Sequence, residues 1–188
     1  MSDNCLHIVP KHRDDYPDSE LKAKEILTWF QEREMVEDCL SNCILSTNQK
    51  GYRFKLNITS IFNDGTSWVH NDALLTQGLE LAYGKRKVFH PVEGAYLTIT
   101  CPSCGKAVDE ETAYHWIDDW HENKGKDYQN CPSCNEKRHL TEYEIEPAWA
   151  FSNLGISLWN TPWDLTTEFL SDMKKLFKTE IIVVPVRI

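Results

Sequence analysis

A chain of 188 residues, 41% hydrophobic and 26% charged, is long enough for one generous domain, or for a domain carrying a small module, and excludes wholesale disorder. Seven Trp, seven Tyr and seven Phe supply a core that needs no disulfides. The formal net charge of −9 repels phosphate backbones, so nucleic-acid binding through a broad basic surface is disfavoured, and a basic protein partner fits better.

The amino terminus, Met1-Ser2-Asp3-Asn4-Cys5, lacks the basic region and apolar run of a secretion signal. No stretch approaches the ~18 apolar residues that span a bilayer, so a cytoplasmic protein is expected. Leu6-His7-Ile8-Val9 predicts a short strand stopped by Pro10, followed by a charged loop from Lys11 to Pro17. Asp18 or Ser19 then caps a helix running to about Glu34, with Leu21, Ile26, Trp29 and Phe30 as its apolar stripe. Residues Tyr52 to Ile58 alternate as a strand with one apolar face, and Asn63-Asp64-Gly65-Thr66 is a turn signal. Leu74 to Leu81 fits a helix or a strand. Lys85-Arg86-Lys87 reads as a solvated turn that could touch phosphate, and Ala95 to Thr100 reads as a strand.

Asp109 is placed to cap a helix over Glu110–Glu122, with Ala113, Trp116, Ile117 and Trp120 on one face and Gly125 as its stop. Leu140 to Ile145 is strand-like. Its alternation puts Tyr143 and Ile145 on one side and Glu142, Glu144 and Glu146 on the other. Ile156 to Trp159 predicts a strand. Thr161-Pro162-Trp163-Asp164 predicts a helix start, followed by a stripe of Leu165, Phe169, Met173, Leu176 and Phe177. Ile181 to Ile188 predicts an apolar terminal strand, which Pro185 restricts to an edge or a bulge. The expected fold is α+β: a mixed sheet with packed helices and an inserted zinc-knuckle module. Its parts are an N-terminal segment 1–98, a zinc-ribbon-like module 99–140 and a strand–helix–strand 141–188 that completes the main core.

The chemistry is carried by Cys101-Pro102-Ser103-Cys104-Gly105 and Cys131-Pro132-Ser133-Cys134-Asn135. A two-residue spacing lets both thiolates of a tight turn face one metal, and two such turns complete a tetrahedral site for one structural Zn2+. Gly105 and Asn135 are placed to take the left-handed conformation that closes each turn. The 26 intervening residues exceed the usual spacing of a compact ribbon, and the tryptophan-bearing helix accounts for the excess. Four thiolates leave no open coordination position, so no catalytic residue is assigned to this metal. His115, His121 and His139 lie nearby as surface or core residues, any of which could substitute for a cysteine. Cys5, Cys39 and Cys43 are expected to be buried thiols.

Phosphate-loop, dinucleotide, zincin, nucleophile-elbow and deaminase patterns are absent. Asp118, Asp119 and Glu122, with Glu142, Glu144 and Glu146, are candidate partner-binding carboxylates, against the plainer reading of solvated faces.

Gly51-Tyr52-Arg53-Phe54, Arg86-Lys87-Val88-Phe89-His90-Pro91, the two CPxC knuckles and Asn153-Leu154-Gly155-Ile156 with Leu158-Trp159-Asn160 resemble phrases of an uncharacterised bacterial zinc-ribbon family. Some of its members are labelled sugar-transporter ATPases. The similarity runs from about Trp29 onward and implies a bacterial cytoplasmic protein, with no catalytic residue to carry over. The ATPase label has no glycine-rich phosphate motif here to support it, and Asn135 stands where a glycine is usual.

Three functions follow as expectations. The first is a zinc-stabilised protein-interaction module, such as an inhibitor or immunity protein that binds a basic partner through its acidic surface. The second is an enzyme with a cleft between the α+β halves. The third is a nucleic-acid-binding zinc ribbon using Lys85-Arg86-Lys87.

Overall fold

The computed structural model describes residues 3–63, 73–91 and 96–188. The turn expected at Asp64-Gly65-Thr66, and Ala95 at the head of an expected strand, lie outside the described residues.

The chain begins with strand β1 (Asn4–Pro10) and helix α1 (Ser19–Glu32), followed by β2 (Val36–Ser41), β3 (Gly51–Phe54) and β4 (Gly78–Phe89). It ends with β9 (Ala150–Trp159), helix α3 (Thr167–Phe177) and β10 (Ile181–Arg187). Between them lie β5 (Thr98–Thr100), α2 (Glu110–His121), β6 (Tyr128–Asn130), β7 (Lys137–His139) and β8 (Glu144–Glu146). Six strands form one sheet in the order β10-β1-β9-β4-β3-β2. The α+β body is as expected, but every pairing in this sheet is antiparallel, where a mixed sheet was anticipated.

Strand alternation sorts the sheet's side chains into two layers. Leu6 and Ile8 of β1, Leu79 of β4 and Leu154, Ile156 and Leu158 of β9 pack with Ile26 and Phe30 of α1 and Phe169, Met173 and Phe177 of α3. Phe169 meets Trp29 and Phe30 with ring centroids 5.9 and 6.1 Å away. The opposite face carries a smaller cluster that includes Cys5, Val9, Phe89, Ala150 and Val184. β10 pairs with β1 along its whole length and ends the sheet, so the missing N–H of Pro185 falls on an edge strand as expected.

Several local expectations are corrected. Leu21 is exposed, and the buried stripe of α1 runs through Ala23, Ile26 and Phe30 instead. Asp18 precedes the helix in a left-handed conformation, and its side chain makes no cap hydrogen bond. The strand expected to reach Ile58 stops at Phe54. A 3-10 turn over Leu56–Ile61 follows, burying Ile58 and Ile61 three residues apart and leaving Leu56 exposed. The last helix starts at Thr167, not at Thr161, because Thr166 supplies the cap by accepting from the Phe169 N–H at 3.2 Å. β2 was not foreseen. The ambiguous Leu74–Leu81 stretch resolves as the approach to β4 and its first residues.

The basic tripeptide is not a turn. It lies within β4, where the register against β9 shifts between Tyr83 and Lys87. Gly84, at φ 84°, opens this bulge and donates its N–H to Ser19 Oγ at 3.1 Å. Beyond the bulge Val88 and Phe151 join a separate core, with Ile99, Val108, Ala113, Trp116, Ile117, Trp120, Leu140 and Tyr143. That second core holds together a module built from α2 and two small sheets, β5 with β8 and β6 with β7. No helix among the described residues is long and apolar enough to cross a membrane.

Gly155 lies beneath the Phe89 ring, and an added Cβ would stand 2.6 Å from Phe89 Cζ. Gly155→Ala should therefore destabilise the sheet by about 1–3 kcal/mol. A lowered urea midpoint at unchanged slope checks this, and Phe89→Leu in the same background should restore part of the loss.

Candidate metal centre

Two turns of matching geometry bring the cysteines together. In the first, Gly105 N–H donates to Cys101 O at 2.8 Å and Cys101 N–H donates to Lys106 O at 3.0 Å. In the second, Asn135 N–H donates to Cys131 O at 2.8 Å and Cys131 N–H donates to Glu136 O at 2.9 Å. Gly105 at φ 67° and Asn135 at φ 61° both take the left-handed conformation expected of them. Asparagine tolerates that region better than most residues, so the departure from glycine leaves the turn intact.

The Sγ atoms of Cys101, Cys104, Cys131 and Cys134 all lie within 4.8 Å of one another, a cluster able to hold a metal ion. Cys101 to Cys134 and Cys104 to Cys131 each measure 3.8 Å. Four sulfurs at ~2.3 Å from a tetrahedral ion stand about 3.8 Å apart, so these spacings fit the group. Ionisation points the same way. Burial opposes it at Cys101, but the N–H groups of Ser103 and Cys104 and the neighbouring thiols bring its pKa down to about 6. At Cys134 the Glu136 N–H works to lower the value, yet burial and the three other sulfurs push it up to about 12. Four thiols this close share their ionisation, and a cation bound among them favours the thiolate form of all four.

The surrounding chain fixes the two turns against each other. Arg138 of β7 reaches across to the first turn and donates from Nε and Nη2 to Ser103 Oγ at 3.0 and 2.7 Å. Between the turns, Asp109 caps α2 through the Thr112 N–H at 2.9 Å, as the sequence indicated. Trp116 and Trp120 are buried, and Trp116 packs on Tyr143 at 5.1 Å. The histidines stay outside the cluster. His115 is exposed and faces Asp119, His121 is exposed, and buried His139 binds Thr141 Oγ1 at 2.8 Å. Cys5 and Cys43 are buried thiols as expected, whereas Cys39 is exposed.

Sequence reasoning missed Arg86. Its side chain is 9% exposed, and its guanidinium donates to Asp127 at 2.7 and 2.9 Å, to Asp15 at 2.8 Å and to the carbonyl of Trp120 at 3.0 Å. It also stacks 4.9 Å from the Trp120 ring. The signal was Gly84, which breaks a strand two residues before an arginine. Lys87 of the same tripeptide is held by Glu80 at 3.2 Å. With Arg86 buried, these residues do not form a basic surface patch.

The candidate acidic residues do not form one stripe. Glu142 belongs to a 3-10 turn over Leu140–Glu142 and folds back to accept the His139 N–H at 2.9 Å. The expected three-carboxylate strand face is thereby reduced to Glu144 and Glu146, both exposed and opposite Thr100 and Thr98. Asp119 is 2% exposed, covered by the side chains of Lys126 at 3.2 Å and Lys124 at 3.4 Å. Asp118 and Glu122 are exposed on and just after α2, and Glu122 pairs with Lys124. Compared with family models, curated proteins and solved structures, the chain matches none.

Removing Arg86 leaves Asp127 half-buried and unpaired. Arg86→Met should cost on the order of 2–3 kcal/mol, below the ~3–5 of a fully buried pair because Asp127 is 21% exposed. The Arg86 guanidinium also holds the Asp127 carboxyl below its ordinary range. A depressed folded-state value stabilises above the unfolded value of about 3.9 and is lost as pH falls through the folded one. The difference in urea midpoint between wild type and Arg86→Met should therefore be full at pH 6 and should shrink below about pH 4.

Proposed function

We propose that Cys101, Cys104, Cys131 and Cys134 hold one structural Zn2+, and that this cytoplasmic protein is a zinc-stabilised interaction module docking a basic protein through the acidic surface around that centre. A specific form is an inhibitor or immunity protein that neutralises a basic toxin. Membership of the bacterial CPxC family is part of the same proposal, resting on the phrases shared across both knuckles and β9. The observation that carries the docking reading is where the charge sits. Residues 97–149 hold eleven of the 29 acidic residues and five of the 20 basic ones, so they account for −6 of the −9 net charge. Four thiolates around Zn2+ add two further negative charges there, and closed coordination disfavours metal chemistry as the activity. Glu144 and Glu146 project from the β5–β8 pair with threonines opposite them, an exposed carboxylate pair for Lys or Arg side chains to meet.

Elemental analysis of reduced, chelator-free protein should give about one zinc per chain. Cys131→Ser should lose the metal together with the module's thermal transition. A variant that loses zinc but melts as before would remove the structural role. For the docking face, a partner retained on the immobilised chain should be purified and its binding rates measured. Charge reversal at Glu144 and Glu146 should then slow association about tenfold at low ionic strength, and added salt should do the same to the unaltered protein. Indifference to both changes would place the interface elsewhere.

A further inference from the structure

β3 pairs with β4 through Tyr52–Leu79 and Arg53–Gly78, and β4 then runs on to Phe89, beyond the start of β3. Along that stretch a groove of about 540 Å3 opens between α1 and the outer strands, within the size range of small-molecule sites. Its floor lies on the helix side of the sheet. Leu79 packs with Ile26 and Phe30 of α1, Tyr52 is opposite Leu79, and Leu40 is opposite Tyr52. Leu81 and Tyr83 follow Leu79 at two-residue steps on the same side of β4. Leu27 of α1 supplies the far wall. Leu40 is 53% and Tyr83 49% exposed, so two large side chains meet water here over a floor that is itself apolar.

Five cations line the groove, Lys24, Lys50, Lys85, Arg86 and Lys87, and no acidic side chain is among its described lining residues. Three of them have carboxylate partners: Lys24 has Glu20 at 2.9 Å, Lys87 has Glu80 at 3.2 Å, and Arg86 has Asp15 and Asp127. Lys50 and Lys85 make no ion pair and no hydrogen bond among the described residues. Lys50 stands two residues before Tyr52 in the chain, and Lys85 two residues after Tyr83. In a chain of net charge −9, two cations without a counter-charge at one apolar groove leave room for two negative charges. A phosphomonoester, at about −2 near neutral pH, matches them. Burial, with Tyr83 close by, pushes the Tyr52 hydroxyl up, so it stays protonated and can donate. Glu37 and Asp38 on the edge strand β2 oppose a longer polyanion that would run outward across the sheet. The arrangement suits a small ligand.

We propose that this groove binds a small aromatic phosphomonoester. The phosphate is held by the ammonium groups of Lys50 and Lys85, and the flat body lies against Tyr52 and Tyr83 over Leu40 and Leu81. The site uses none of the cysteine cluster and none of the acidic surface, so it stands or falls separately from the docking proposal.

The test uses the zinc-loaded full chain with 1-naphthyl phosphate as the probe. Its controls are 1-naphthol, which lacks the charge, and inorganic phosphate, which lacks the body. Calorimetry and the ring resonances of Tyr52 and Tyr83 are followed together. The probe should bind one to one, at least about tenfold tighter than either control, and should move both tyrosine signals. Lys50→Glu and Lys85→Glu alter exposed side chains, so each should keep the melting temperature while weakening the probe about tenfold or more. Inorganic phosphate bound as tightly as the probe would mean an adventitious ion only and would overturn the proposal. Binding of 1-naphthol as tight as the probe, unmoved tyrosine signals, undiminished binding to the two folded variants, or tighter binding of a single-stranded oligonucleotide would each overturn it as well.

Discussion

A guanidinium nine-tenths removed from water must place its N–H groups on acceptors, and Arg86 finds them on three separate stretches of chain. Asp15 lies between β1 and α1, the Trp120 carbonyl is near the end of α2, and Asp127 immediately precedes β6. The planar fork suits this divergent set, and the ring of Trp120 closes one face of it. A lysine in the same place would present a single ammonium to two carboxylates and a carbonyl lying in different directions. The sheet and the module are therefore joined by a geometry that only one residue type satisfies.

That junction depends on the bulge in β4. A regular strand would keep its alternation past Tyr83. The extra residues introduced after Gly84 reset the phase, so Val88 and Phe151 face Trp120 and the module's core while Phe89 and Ala150 return to the sheet's other face. One interruption thus directs Arg86 and two apolar residues toward the module. The module itself is small, with a core resting on a short helix and two strand pairs of three residues each. Cores of that size seldom hold alone, and cross-linking two turns through a metal is a common remedy.

The parts of this fold that were legible in the sequence are those decided locally. The CPxC turns, the Asp109 cap and the edge placement of Pro185 follow from short-range chemistry, and each is found where the residues put it. What was not legible was decided by neighbours distant in sequence. Tyr52 to Ile58 alternates cleanly, yet β3 ends at Phe54, where the Lys55 N–H is taken by the Met35 carbonyl and the chain turns. Thr161-Pro162 has the composition of a helix start. Asn160 is bound instead to Asn4, Asp3 and Thr76, which holds that segment on the sheet until Thr166 offers a second cap. Glu142 belonged to a convincing strand pattern and was taken by its own turn. Arg86 looked like surface because charge is read as exposure unless a partner is known, and Asp127 lies 41 residues away.

The same partnering governs the electrostatic character of the surface. Within residues 97–149, Lys124 and Lys126 converge on the buried carboxylate of Asp119, and Arg138 lies over the first cysteine turn. Asp127 in turn takes its charge balance from Arg86, outside the module. The cations are thus largely committed to holding the module together. Glu144 and Glu146 make no ion pair among the described residues, and Thr98 and Thr100 opposite them carry no charge. Opposite charges within a Debye length of about 8 Å partly cancel in the field a partner meets, so the carboxylates left without a counter-charge dominate it. Thiolates bound to Zn2+ would add to that field in the same sense. An acidic composition becomes a directional surface here because basic residues that would have diluted it, Lys124, Lys126 and Arg138, are engaged by partners within the module.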